Sequence, residues 1–316
     1  MEKEAILNKI AQYDSIVIFG HIFPDGDCYG SELGLREALR LRYPQKKIYA
    51  VGSGFKKMVP LLGPLDEVDD EIIHNSLGIA VDFNTIERAE DSRIQNAKEL
   101  VMIDHHLPSD HPIGSIQYVV TTKIATCEIL AEWFMQEKWQ LNSLAANALF
   151  LGITTDSGRF QFQPTTAKTF QTVAFLLEQG ANPDPLYALL YETEEESLAI
   201  RGYLYSHYEK TKEGVIFVKL NENVLKKLGI TAQKGVSMVN LLANIKGYPI
   251  WAFFSEERPD YIRVEIRSMK LSIQPICVAH QGGGHPLAAG CHASSWDEVD
   301  QIIDELNALL IKGEKE

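Results

Sequence analysis

Leu100-Val101-Met102-Ile103-Asp104-His105-His106 decides the reading of this chain. The four apolar residues read as a buried β-strand. A carboxylate and two imidazoles at its end are costly to desolvate unless something binds them. His21, Asp25 and Asp27 follow a second such run, Ile16-Val17-Ile18-Phe19. Asp82 follows a third, Gly78-Ile79-Ala80-Val81, and Asp156 follows a fourth, Leu149-Phe150-Leu151-Gly152-Ile153. Four strand ends would thus each deliver His or Asp to one place, which predicts a metal site that performs hydrolysis.

Working outward, strands alternate with helices. A helix over residues 2–12 precedes the first strand, and a helix over 29–42 follows the loop 21–28. A strand spans 47–52, and helices are expected over 125–139, 145–152 and 165–179, the second running into the Asp156 loop. Gly30 allows close helix packing. This order implies right-handed βαβ units and a mainly parallel sheet flanked by helices, with the active site at the carboxyl ends of its strands. A Glu-rich helix from Glu192 leads to period-two strands, above all Tyr261-Ile262-Arg263-Val264-Glu265-Ile266-Arg267. The fold class expected is α/β: residues 1–190 a catalytic domain, 191–212 a linker helix, and 213–316 a smaller α/β domain with a mixed sheet.

A chain of 316 residues is long enough for two cores. Its 45% apolar and 23% charged content is that of a soluble globular protein. No apolar run approaches the roughly 20 residues that span a bilayer, and the N-terminus lacks the layout of a signal peptide. A cytoplasmic protein with no membrane partner is expected. Cys28, Cys127, Cys277 and Cys291 are scattered without a CxxC pair, so they read as reduced thiols and not as zinc ligands. Lys and Arg number 30 against 43 Asp and Glu, a formal net charge of -13. That balance repels long nucleic acid, and no basic patch offsets it. A phosphate-bearing substrate would be small, its charge met locally by metals and a few arginines.

Each cluster has a plain structural reading beside the functional one. His21-x-x-x-Asp25-x-Asp27 could be a polar turn capping the next helix. Asp82 alone, or Asp156 alone, could be a cap. Two histidines directly after Asp104 are harder to dismiss, and four structural coincidences at four strand ends are harder still. Imidazole with carboxylate suits manganese, cobalt or zinc better than magnesium alone. Four aspartates offset the charge of two divalent ions, which at about 3.5–4 Å apart can share a carboxylate. In the second domain, Gly282-Gly283-Gly284-His285 would bring backbone N–H groups close to a phosphate or base, or would simply form a tight turn. Arg263 and Arg267 could clamp a phosphate, or could be a solvated face with Glu265 between them.

Taken together, His21-Ile22-Phe23-Pro24-Asp25-Gly26-Asp27 with Gly30-Ser31, then Asp82, Asp104-His105-His106, Asp156 and the run 282–290 resemble the DHH phosphoesterase family. The Gly282 to Gly290 run is similar to its GGGH-type C-terminal domain. The chain is most similar to the nanoRNase and pAp phosphatase subgroup. The resemblance implies one metal on His21, Asp25 and Asp82, and another on Asp27, Asp82, His105 and Asp156. It implies His106 and Asp104 as catalytic residues, His106 facing the scissile phosphate and Asp104 orienting the histidines. It implies substrate binding by Arg263, Arg267, Gly283, Gly284 and His285. Two Mn2+ ions are the implied cofactors, with Mg2+ or Co2+ as substitutes and a homodimer left open. A two-metal-activated hydroxide would cleave short oligoribonucleotides such as pApA to mononucleotides, or 3'-phosphoadenosine 5'-phosphate to AMP. Alternatives are a cyclic-dinucleotide phosphodiesterase, a RecJ-type exonuclease, an inorganic pyrophosphatase and a catalytically silent nucleotide sensor. Gly20, Phe83 and Glu265 depart from the subgroup, which often carries Arg, Thr or Ser, and a third Arg there.

Overall fold

The computed structural model describes residues 2–313, and the chain divides between Glu192 and Thr193 into two compact units. The first carries β1 (Ser15–Phe19), β2 (Lys47–Val51), β3 (Leu77–Val81), β4 (Glu99–Asp104) and β5 (Ile116–Val119). All neighbours pair in parallel, in the order β2-β1-β3-β4-β5. Successive side chains of a strand point to opposite faces, so both faces must be covered. Ile16 and Ile18 of β1 enter one apolar cluster, with Ile6, Leu33 and Trp133 from long helices; Val17 and Phe19 enter another, with Ile73, Phe83 and Ile94 from short helical turns and loops. The strand order reverses between β1 and β3, which opens a crevice beyond their carboxyl ends.

Two differences from the sequence expectation bear on the site. The helix after β1 begins at Gly26, not at residue 29, because the Asp25 side chain caps it by accepting the Asp27 and Cys28 N–H groups at 3.0 Å each. Asp156 lies in the last turn of the Ser143–Asp156 helix, not at a strand end. That helix is buried nearly all round, so its apolar run carries no stripe to distinguish it from a buried strand.

The Gly26–Arg42 and Ser143–Asp156 helices pack backbone against backbone. A Cβ on Gly30 would lie 2.3 Å from the Ala148 carbonyl oxygen, and one on Gly152 would lie 2.7 Å from Asp27 Oδ1. Small residues at these crossings bring Asp27 and Asp156 to the same end of the pair.

The second unit is a six-stranded sheet in the order β10-β11-β9-β8-β7-β6. Its strands are β6 (Glu209–Lys210), β7 (Val215–Leu220), β8 (Ile250–Arg258), β9 (Tyr261–Ser268), β10 (Gly283–His285) and β11 (Ala288–Ala293). Only β7 and β8 pair in parallel, so the sheet is mixed. The helix expected as a linker runs Glu196–Ser206 and puts Ile200 and Leu204 into the core against Ile216 and Phe253. The Trp296–Gly313 helix covers the other face through Val299, Ile302 and Leu306.

Adding a methyl to a helical glycine ordinarily stabilises by up to about 1 kcal/mol. At Gly202, where a Cβ meets nothing within 4 Å, Gly202→Ala is expected to do so. At Gly30 the sign should invert: Gly30→Ala is expected to destabilise by about 1–3 kcal/mol, by overpacking. Urea denaturation of the two variants checks the opposed signs.

Candidate active site

His21 leaves β1 and is pinned at the site by a β-bridge to Ala89. Its Nδ1 lies 2.8 Å from the Ile22 carbonyl oxygen, so Nδ1 carries the proton and Nε2 presents a lone pair. That Nε2 is 3.5 Å from Asp82 Oδ2 and 4.0 Å from Asp25 Oδ1. His105 repeats the device. Its Nδ1 lies 3.4 Å from the Lys123 carbonyl oxygen, while Nε2 is 3.5 Å from Asp82 Oδ1, 3.5 Å from Asp156 Oδ2 and 3.8 Å from Asp27 Oδ2. Two imidazoles thus aim acceptor nitrogens at carboxylates, which have only acceptors to offer.

Asp82 follows β3 with a left-handed backbone, φ 67°, unusual for any residue with a side chain. Its N–H donates to the Ile103 carbonyl of β4 at 3.1 Å, and its Oδ1 accepts from Thr126 Oγ1 at 3.0 Å. Burial pushes the Asp82 carboxyl well above its ordinary range, and Asp27, Asp156, Asp25 and Asp104 push it further. Asp156 is raised to about 9 by burial and by the charges of Asp27 and Asp25. Asp27 is fully buried, yet its two oxygens accept the Thr126 N–H at 2.7 Å and the Cys127 N–H at 2.9 Å. The N-terminus of the Thr126–Gln136 helix is therefore docked on this carboxylate, where the helix dipole favours negative charge.

Asp104 does a different job. Its Oδ1 accepts the His105 N–H at 2.7 Å, the His106 N–H at 3.2 Å and His106 Nδ1 at 2.7 Å. Burial would raise the Asp104 carboxyl, but the bond from His106 and the nearby imidazoles hold it below the usual range. The same bond raises His106 above its ordinary value, against burial.

Three sets of side chains each bring their ligand atoms within 4.8 Å of one another: His21, Asp25 and Asp82; Asp27, His105 and Asp156; and Asp82, His105 and His106. The donor set fits divalent cations on two observations. His105 Nε2 is buried without a hydrogen-bond partner, and the aspartates raise one another's affinity for positive charge. Thr126 and Lys123 were not legible as site residues, since Thr126 lies 99 residues from the carboxylate it caps. Nothing in local spacing signals that.

In the second unit the expected substrate residues fall into two groups. A cavity of about 400 Å³ is lined by Arg263, Glu265 and Gly283, with Gly282, Cys291 and His292. Arg267 and His285 stand across the sheet from one another through Ala288. Each arginine already has a carboxylate: Arg263 Nε donates to Glu257 at 2.5 Å, and Arg267 Nη1 to Glu265 at 2.8 Å. The three glycines differ. A Cβ on Gly282 would meet the Gly290 carbonyl oxygen at 2.1 Å, and Gly284 has φ 129°, whereas Gly283 faces open space. His280, just ahead of them, bonds Glu298 at 2.8 Å and Glu305 at 3.1 Å, tying the turn to the C-terminal helix. The three departures also have structural causes. A Cβ on Gly20 would collide with Cys28 Sγ and with Glu32, Phe83 is fully buried in the core, and Glu265 pairs with Arg267.

Such a pair of units, a parallel sheet with imidazoles and carboxylates at its switch point and a mixed sheet edged by glycines, defines a two-domain α/β protein of DHH type. Residues 15–153 match the DHH family, N-terminal domain, and residues 212–312 match the DHHA1 domain. The chain belongs to the DHH family. It is 37% identical over 310 residues to the bifunctional oligoribonuclease and PAP phosphatase NrnA of Bacillus subtilis, covering 97% of this chain and 98% of that one. It is 31% identical to the protein of the same name from Mycoplasma genitalium, over 95% of each chain. An exopolyphosphatase-related protein from Bacteroides fragilis shares the fold, with a TM-score of 0.85 at 22% identity over 98% of this chain and 97% of that one. No helix among the described residues is long and apolar enough to cross a membrane.

The raised Asp156 carboxyl gives a signed expectation for metal-free protein. Its folded value of about 9 lies above the ordinary carboxyl value of 3.8, so the folded state holds this proton more tightly. Stability is fully present below the unfolded value and is lost as pH rises toward about 9. With a chelator present, the unfolding free energy should fall between about pH 5 and 8, by up to about 1.4 kcal/mol per pH unit for this one group. Asp156→Asn should flatten the slope, measured by urea denaturation across that range.

Proposed function

We propose that the chain hydrolyses phosphoester bonds in short oligoribonucleotides, pApA among them, to mononucleotides, and in 3'-phosphoadenosine 5'-phosphate to AMP. The observation that carries the reading is the aim of His21 Nε2 and His105 Nε2 into the aspartate cluster, each fixed by a backbone carbonyl at Nδ1. The curated relatives point to the same chemistry by their names. His21, Asp25 and Asp82 would hold one divalent cation; Asp27, Asp82, His105 and Asp156 would hold the second, with Asp82 shared. Manganese suits this mixture of imidazole and carboxylate, with cobalt or magnesium as substitutes. When bound, the two cations would supply Lewis acidity and a water of lowered pKa.

The chain's own groups then have separate tasks. Asp104 accepts the Nδ1 proton of His106 and so fixes the ring, leaving Nε2 for the phosphate. The Asp104 bond favours the charged imidazolium of His106, the form that could place a proton on a phosphate oxygen as charge develops. Asp104 is a positioning residue. Arg263, Arg267, Gly283, Gly284 and His285 would bind the substrate, Gly283 with the backbone that lies open.

Purified protein with Mn2+ should release mononucleotides from di- to pentaribonucleotides and AMP from 3'-phosphoadenosine 5'-phosphate, and a chelator should stop both. Intact Mn2+ binding with no turnover of either substrate would refute the reading. His106→Ala should lower kcat by about 10²–10⁴-fold, the usual contribution of a positioned acid or base, with Mn2+ affinity by calorimetry unchanged.

A further inference from the structure

Two divalent cations would offset the aspartates of the centre, and a side-chain cation beside them would add a directional contact to the phosphate oxygens. Several cations of the first unit are already paired with carboxylates. Arg36 and Arg40 pair with Glu37 and Asp66, Arg93 with Asp70 and Asp91, and Lys9 with Glu99. Arg263 and Arg267 of the second unit are each held by a glutamate. Arg42 and Arg159 of the first unit, also without a carboxylate partner, are exposed, whereas Arg88 is half-buried and has no carboxylate partner among the described residues.

Its position is fixed by the backbone. Arg88 ends the helical turn Ile86–Arg88 in the segment that leaves Asp82. Its carbonyl accepts the Ile22 N–H at 2.7 Å, and the next residue, Ala89, bridges His21. The turn is therefore stitched to the first loop of the centre.

We propose that Arg88 is the anion-binding residue of the catalytic unit, its guanidinium taking oxygens of the scissile phosphate beside His106. A planar fork of donors suits a phosphate, and the absence of an internal partner leaves it free to accept one. The assignment deepens the phosphoesterase reading above and rests on it.

The test compares wild type with Arg88→Gln and Arg88→Lys, all with Mn2+. Arg88→Gln should lower kcat/KM on both pApA and 3'-phosphoadenosine 5'-phosphate by about tenfold to a hundredfold, the loss of a charged hydrogen-bond donor. It should weaken binding of inorganic phosphate, read by calorimetry, by a similar factor. Thermal stability and Mn2+ affinity should stay at the wild-type level, and Arg88→Lys should recover part of the loss. Phosphate binding within twofold of wild type in Arg88→Gln would overturn the proposal, as would a loss traced entirely to weaker Mn2+ affinity. If wild type turns over neither substrate, the activity reading fails by itself, and phosphate binding to wild type against Arg88→Gln still decides the role of Arg88.

Discussion

Asp82 sits buried within electrostatic reach of Asp25, Asp27, Asp104 and Asp156, with little water to screen the repulsion. The first unit is organised around keeping those carboxylates together. Two of them lie on helices that can approach only because Gly30 and Gly152 carry no side chain. Asp27 is held by amides at the start of a third helix, and Asp82 by a hydroxyl from the same helix. Local partners fix the histidines so that their lone pairs, and not their protons, face the cluster. A cation is the one common partner that all these acceptors lack.

What could be read in advance followed from how each element meets water. The parallel strands were legible because burial on both faces leaves near-continuous apolar runs, as in Leu77–Val81. β9 was legible for the opposite reason, since one exposed face imposes strict alternation. The Ser143–Asp156 helix was placed only in part, because a helix buried all round shows no stripe. Most of the side chains gathered at the centre were named from the sequence. Their supports were not: the Thr126 amide, the Lys123 carbonyl and the pairing of Glu257 with Arg263 are tertiary facts. Pairing of that kind depends on which strands and turns become neighbours, and no spacing rule encodes it.

The second unit treats charge differently from the first. Its arginines lie on a sheet face with their glutamates, Glu257 on the adjacent β8 and Glu265 two residues along β9, and Glu265 is aligned with Gly290 and Gly283 across three strands. A ligand anion reaching Arg267 would compete with Glu265 for the same guanidinium. Any anion bound there would displace one carboxylate with another anion, a balance that favours selectivity over tight binding.

The helix that caps Asp27 starts 99 residues further along the chain, and Asp156 lies further still. The Thr126 amide bond to Asp27 spans 99 residues and the Thr126 hydroxyl bond to Asp82 spans 44, and such pairings come late in folding because the closure entropy must be met first. During synthesis, then, a ribosome that has delivered β1, β3 and Asp82 has delivered three of the five aspartates with nothing to unite them. Competence would arrive in one step, once the Ser143–Asp156 helix has emerged and settled against Gly30.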